Sequence, residues 1–298
     1  MQAPPTQLRP AFFLSTTSQG SRIQKRALGV ERMGGISVAE PTGTTEMVGI
    51  AIVIFAVCSA VAGLVFVRHR VPLHILREQH DVAGASFAVI GGFYGVLLAF
   101  VLVASWERFE HARADTEFEA NALADLNRQV AGIPEPTRTE LRIAVRDYLQ
   151  SVVNVEFETM TDGKESAVTQ QLYYRIWDVV LGTHADSSQE VALFQTMLEK
   201  LNQFSEGRRY RMLYMQMGLP PVIWVFLIVF GMITVGFTYF FGMPRLAPHV
   251  IITVTLASTI ACTLYIIDEM QTPFSGLVTV PDRAYRVVLQ MMSTDPTR

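Results

Sequence analysis

Side chains that could do chemistry are few in this chain of 298 residues, and their spacing is unhelpful to catalysis. None of the six histidines forms an H-x-x-x-H or H-E-x-x-H pair, and no G-x-S-x-G, phosphate loop or G-x-G-x-x-G occurs. The nearest approach to a metal cluster is His69, His74 and His80, but steps of five and six do not share a helix face. With Arg68, Arg70 and Arg77 they read instead as a positively charged mouth or a contact with lipid headgroups. The adjacent carboxylates Asp268 and Glu269 close an apolar stretch where a helix C-terminus already carries negative charge, so a cation should answer them. Arg108 and Arg113 are the candidates, in an Arg108–Glu269 or Arg113–Asp268 pair. No enzyme, metal site or cofactor is expected from this set.

The elements carrying these groups are set by where charge is missing. Met47 to Val67, Val82 to Trp106, Met212 to Pro244 and Leu246 to Ile267 contain no Asp, Glu, Lys or Arg. A bilayer core needs about 20 apolar residues in helical form, so each stretch can span one. The block from Glu107 to Arg211 carries 12 Lys and Arg against 18 Asp and Glu, a net of −6, which leaves +3 elsewhere. An acidic soluble part argues against nucleic acid as a partner. Cys58 and Cys262 fall inside apolar spans and read as buried small side chains.

Span two has no stop signal. Phe109, Ala112, Thr116, Ala120, Leu123, Leu126 and Val130 recur in steps of three and four, which predicts one helix from about Val82 to Ala131, roughly 75 Å long. Gly132-Ile133-Pro134-Glu135-Pro136 ends it. Thr137-Arg138-Thr139-Glu140 and Ser187-Ser188-Gln189-Glu190 both have the form of a capping box, opening helices with Leu141, Val145, Tyr148, Val152 and Val155, and with Val191, Phe194, Leu198, Leu201 and Phe204. Between them runs a helix with Val168, Leu172, Ile176 and Val179. Gly84, Gly91, Gly92 and Gly95 follow small-xxx-small spacing, which allows close helix approach within one subunit or around an axis shared by several. Spans one and four, richer in Ile and Val, read as lipid-facing.

Basic residues near the membrane number nine on the side of the insertion, Arg208, Arg211 and Arg286 among them, against Arg68, Arg70, Arg77 and Arg245 on the other. That bias predicts an inner-membrane protein with both termini and the insertion in the cytosol.

The plan resembles that of the bestrophin anion channels, and within them a bacterial bestrophin-like group. Ser86-Phe87 with Gly92-Phe93-Tyr94 resembles the pore-helix stretch. Leu97-Leu98-Ala99-Phe100, Ser105-Trp106-Glu107-Arg108-Phe109 and Ala112-Arg113 are similar to a helix segment of bacterial homologues. Glu269 with Pro273, Phe274 and Gly276 looks like the family's acid followed by Pro-Phe-Gly. The resemblance implies an apolar pore neck at Phe93, with Val89 and Leu97 one turn to either side. It further implies a homo-oligomer (a pentamer if bestrophin-like) and anions as the permeant species. Two departures stand out. Leu277-Val278-Thr279-Val280 follows the motif where calcium-responsive bestrophins carry acids, so calcium gating is not implied. Val101 stands where bacterial relatives have an arginine.

The expected architecture is all-α. Residues 1–45 form a disordered tail (with Met33 as a possible true start), 46–106 the first two spans, 107–211 a cytosolic helical bundle, 212–267 the last two spans, and 268–298 a cytosolic C-terminal tail. The expected function is a passive anion channel in the bilayer, oligomeric around span two. The alternative is a non-conducting scaffold or sensor whose bundle docks a partner.

Overall fold

The computed structural model describes residues 37–38, 43–78 and 80–294. The possible start at Met33 and most of the expected disordered tail lie outside these residues. Part of the tail is nevertheless ordered: strand β1 (Ser37–Val38) pairs antiparallel with β2 (Val278–Thr279), with Val38 opposite Val278. Four helices are long and apolar enough to cross a bilayer: α1 (Gly43–Arg70), α3 (His80–Gln129), α8 (Pro221–Thr238) and α9 (Leu246–Gln271). A short α2 (Leu73–Glu78) joins the first two. Span three begins at Pro221, whose fixed φ suits a first helical turn, and Met212 to Gln216 belong to the preceding soluble helix.

Inside the membrane part, α9 is the hub, contacting α1, α3 and α8. It buries Ala257, Ile260, Ala261 and Ile267, so the fourth span is not the lipid-facing element its composition predicts. Small side chains at that face let three neighbours close in. Two buried polar side chains there reach backbone carbonyls: Tyr94 donates to the Leu227 carbonyl at 2.9 Å, and His249 Nε2 lies 2.7 Å from the Thr238 carbonyl. Cys58 and Cys262 are exposed on the helices' outer faces, not buried.

The insertion folds as α4 (Thr137–Ser151), a π turn (Val152–Glu156), α5 (Phe157–Thr161), α6 (Ala167–Leu181) and α7 (Ser188–Gln216), packed on the far half of α3. Leu123, Leu126, Leu141, Val145, Tyr148, Leu149, Ile176, Leu201 and Phe204 form one core. Each Leu or Phe buried this way contributes about 1.5–3 kcal/mol before entropy is counted. Val168 and Val191 point outward, and Thr169 and Val180 take the inward places on α6. The C-terminal segment is no tail: α10 (Arg283–Thr294) drives Tyr285, Val288 and Met292, at steps of three and four, into the same core.

The two capping boxes fare differently. Ser187 and Glu190 make both reciprocal bonds, at 3.2 and 2.9 Å. At α4 the N-cap is Pro136, and the carboxylate of Glu135 accepts from Thr139 N–H at 3.2 Å and from its hydroxyl at 2.8 Å. The Pro-Glu-Pro turn brings Glu135 to the free backbone donors first, which displaces the expected Thr137 cap.

Candidate functional site

The exposed face of α3 runs through Ala85, Ala88, Val89, Gly92, Phe93, Val96, Phe100 and Val103, in steps of three and four. Val89 is 74% exposed and Phe93 63%, though the Phe93 ring keeps an edge 6.3 Å from Phe230. Leu97 is half-buried and packs beside Tyr94, Leu98 and Leu227. A β-carbon added at Gly84, Gly92 or Gly95 would meet nothing within 4 Å, and one at Gly91 would meet only Phe87 and Thr234 at ordinary distances. Among the described residues, nothing presses on Gly84, Gly92 or Gly95. The glycines pressed by neighbours are others: a β-carbon at Gly207 would lie 2.8 Å from that of Glu119, and one at Gly231 2.8 Å from the Tyr94 hydroxyl.

Where α3 leaves the membrane it meets a buried charge cluster that sequence reasoning missed. Arg211, wholly inaccessible, donates to both carboxylate oxygens of Glu119 at 2.7 and 3.1 Å and to Glu156 at 2.8 Å. Arg208 grips Glu156 with both terminal nitrogens at 2.8 and 2.9 Å, and Glu165 with one at 2.8 Å. The Tyr148 hydroxyl donates to Glu119 and accepts from Arg208. Tyr285 of α10 lies under the Arg211 guanidinium, 5.6 Å from ring centre to Cζ. Bidentate guanidinium–carboxylate bonds suit removal from water, because the planar fork satisfies both oxygens at once.

The π turn puts Glu156 there. Straight α geometry would carry the Leu141–Val145–Tyr148–Val152 stripe on to Val155, the position expected to be buried. One extra residue in the turn rotates the chain, so Val155 stands 38% exposed and Glu156 is fully enclosed. Burial alone would raise the Glu156 carboxyl, but Arg211 and Arg208 outweigh it and hold it below the usual 4.5. Burial, then the Glu119 charge, pushes the Tyr148 hydroxyl well above 10, so it remains a neutral donor.

Arg208 and Arg211 are therefore buried in the bundle and not exposed cations beside the membrane. Removing them from the membrane-proximal count shortens the charge bias that predicted the orientation.

The expected pairs at the membrane exit are not the ones made. Arg108 donates to the Met217 carbonyl at 2.7 Å. Arg113 turns along its own helix to Glu117 at 3.2 Å and Glu110 at 3.7 Å. Glu269 accepts from Leu277 N–H at 2.6 Å, closing the loop after α9, and its carboxylate occupies the space a β-carbon on Gly276 would need. Gly276 has φ +93°, a conformation that favours glycine in its own right. Pro273 accepts from Val280 N–H at 2.7 Å, and Phe274 is buried edge-on to Phe157. The Pro-Phe-Ser-Gly loop thus anchors the soluble bundle to the end of α9. Gln271 adds a second tie, its side-chain oxygen accepting from Leu219 N–H at 2.7 Å. Residues 217–219, between α7 and α8, are held by Arg108 on one side and Gln271 on the other.

At the opposite end Arg68 donates to the Pro244 carbonyl at 3.0 Å, and Arg70 stacks over Phe66. His69 and His74 are exposed, while the side chains of Arg77 and His80 lie outside the described residues. Among the described residues, no three His, Cys, Asp or Glu side chains gather as a metal site.

A family model described as Bestrophin-like domain matches residues 54–285. Among solved structures, a bacterial Bestrophin homolog from Klebsiella pneumoniae is similar with a TM-score of 0.60 at 17% identity, covering 82% of this chain and 99% of its own. A single-residue variant of that homolog gives 0.62 at 15% identity, covering 81% and 99%. Identity this low shows the shared fold. No curated protein matches the sequence.

Proposed function

This chain belongs to the bestrophin-like family, and on that ground we propose that it is a passive anion channel of bestrophin type, closed around α3 as a homo-oligomer, a pentamer if it follows the family plan. The observation that carries the reading is the uncovered apolar face of α3, with Val89 and Phe93 outward and, among the described residues, nothing against Gly84, Gly92 or Gly95. Copies of α3 around an axis would set Phe93 in a ring, with Val89 one turn before it and Leu97 one turn after. Such a neck passes ions by wetting and dewetting, without binding them. The arginines around Arg68 and Arg70 raise local anion concentration at one mouth. Of the basic residues supporting a cytosolic insertion in the inner membrane, Arg209 and Arg283 remain exposed in the soluble part.

The test is chloride flux into liposomes holding purified protein, compared with Phe93→Ala. Widening the neck should raise flux several-fold while the oligomer stays intact. Intact oligomers with no flux in either protein would favour a non-conducting scaffold.

A further inference from the structure

A cavity of about 790 Å³ opens inside the membrane part, between α1, α8 and α9. Its floor is Ala257 and Ala261 of α9, and its walls include Phe55 of α1 and Ile228 of α8. Its form follows from two struts. The Tyr265 ring fills the space where a β-carbon of Gly49 would be, and the Tyr239 hydroxyl lies 2.8 Å from that position at Gly63. Helix α1 touches its neighbours closely at both ends of a 14-residue stretch, about 21 Å of helix, and stands off α8 between them.

The slot has the dimensions and polarity of one lipid chain in one leaflet. From Ala257 to Asp268 is eleven residues, about 16 Å along α9, against a half-bilayer of about 15 Å. Its lining is mostly apolar, with Ser59, Tyr239 and Tyr265 as neutral polar side chains and a charge at one end. There Asp268, the single charged residue among the described lining residues, stands exposed at the mouth, with Trp224 also bordering the slot. Aromatic residues of this kind mark the headgroup level of a bilayer.

We propose that this slot binds a phospholipid whose headgroup carries a primary ammonium, one acyl chain lying on Ala257 and Ala261 and the ammonium resting on the Asp268 carboxylate. Charge selects the headgroup: an anionic lipid would bring a net negative charge to the Asp268 carboxylate, and no cation stands among the described lining residues to offset it. The inference needs only the bilayer, and does not depend on conduction.

The experiment is native mass spectrometry of the full chain, purified and exposed to equal amounts of phosphatidylethanolamine and phosphatidylglycerol. The unaltered protein should retain phosphatidylethanolamine preferentially. Asp268→Asn should cut that preference about fivefold, the effect of one charge near the membrane surface, without loss of total lipid. Ala56→Trp, which fills the slot from its α1 wall, should remove the bound lipid of both kinds while the thermal midpoint stays put. Asp268→Ala offers a second reading if the asparagine variant folds poorly. Equal retention of the two lipids by the unaltered protein overturns the proposal, and so does unchanged retention in Ala56→Trp. Efficient inter-subunit cross-linking through Ser59→Cys would also overturn it, because a second copy of the chain would then occupy the slot.

Discussion

The two halves of α3 are covered in different ways. Past Trp106 the helix is sealed by its own chain: Phe109, Ala112, Leu123 and Leu126 are fully buried, and Glu119 is held by Arg211 and Tyr148. Before Trp106 it presents Val89, Phe93, Phe100 and three open glycines. The soluble half is complete within one subunit, whereas the membrane half leaves a face for lipid or further copies. Glycines make the same contrast. Gly207 is occupied space, pressed onto Glu119 of α3, and Gly92 is vacant.

The hardest blow to this division falls on the buried cluster. Arg211→Ala leaves Glu119 and Glu156 enclosed beside lost partners, and should destabilise the bundle by about 3–5 kcal/mol. A drop in thermal midpoint, with protease cleavage appearing in residues 137–216, would register it. If stability held, the bundle would not be the self-sufficient half.

The same cluster sets an acid limit. Glu156 is depressed in the folded state, so its contribution is fully present above the unfolded value of about 4.5 and is lost as pH falls through the lower folded value. Melting should be insensitive to this group from pH 6 to 8 and should decline below about 4.5, and Glu156→Gln should flatten that decline while lowering the midpoint overall. A midpoint with the same acid limb in the glutamine variant would assign the limb to another carboxylate.

Paired glycine substitutions sharpen the contrast further. Gly207→Val forces α7 away from the α3 backbone, whose Glu119 nitrogen would lie 2.9 Å from the new β-carbon, and should cost about 1–3 kcal/mol. Gly92→Val should leave subunit folding within about 0.5 kcal/mol while shifting the oligomer distribution on size exclusion with light scattering. Equal folding penalties for both would erase the distinction. The mildest effect is expected at Ser187→Ala, about 1 kcal/mol from loss of the α7 cap. It should be seen as faster amide exchange at residues 188–191 alone.

What could be read from the sequence is what local pattern determines. The length of α3 was legible because nothing between Val82 and Gln129 interrupts a helix. The cap at Ser187 was legible because both partners lie within three residues. The Glu119–Arg211 pair was not, being 92 positions apart, with each residue alone indistinguishable from a solvated surface charge. Arg208 and Arg211 were counted among the membrane-proximal basic residues for the same reason. Glu156 was hidden by a π turn, which breaks the very periodicity used to assign faces. Helix α10 could have been found, since Tyr285, Val288 and Met292 mark one face. At the membrane exit, the reading of Glu269 as a cation's partner failed because a backbone N–H eight residues on reaches it first.

The π turn at Val152–Glu156 has an evolutionary corollary. It amounts to a single inserted residue, and its phase shift is what turns Glu156 toward the two arginines. Deleting one of Val153, Asn154 or Val155 would restore an uninterrupted helix and still leave Glu156 facing inward, because it would then stand three places after Val152 in the buried stripe. Relatives one residue shorter in this segment should therefore keep both the acid and the matching arginines, whereas relatives of equal length that lack the turn should have replaced them.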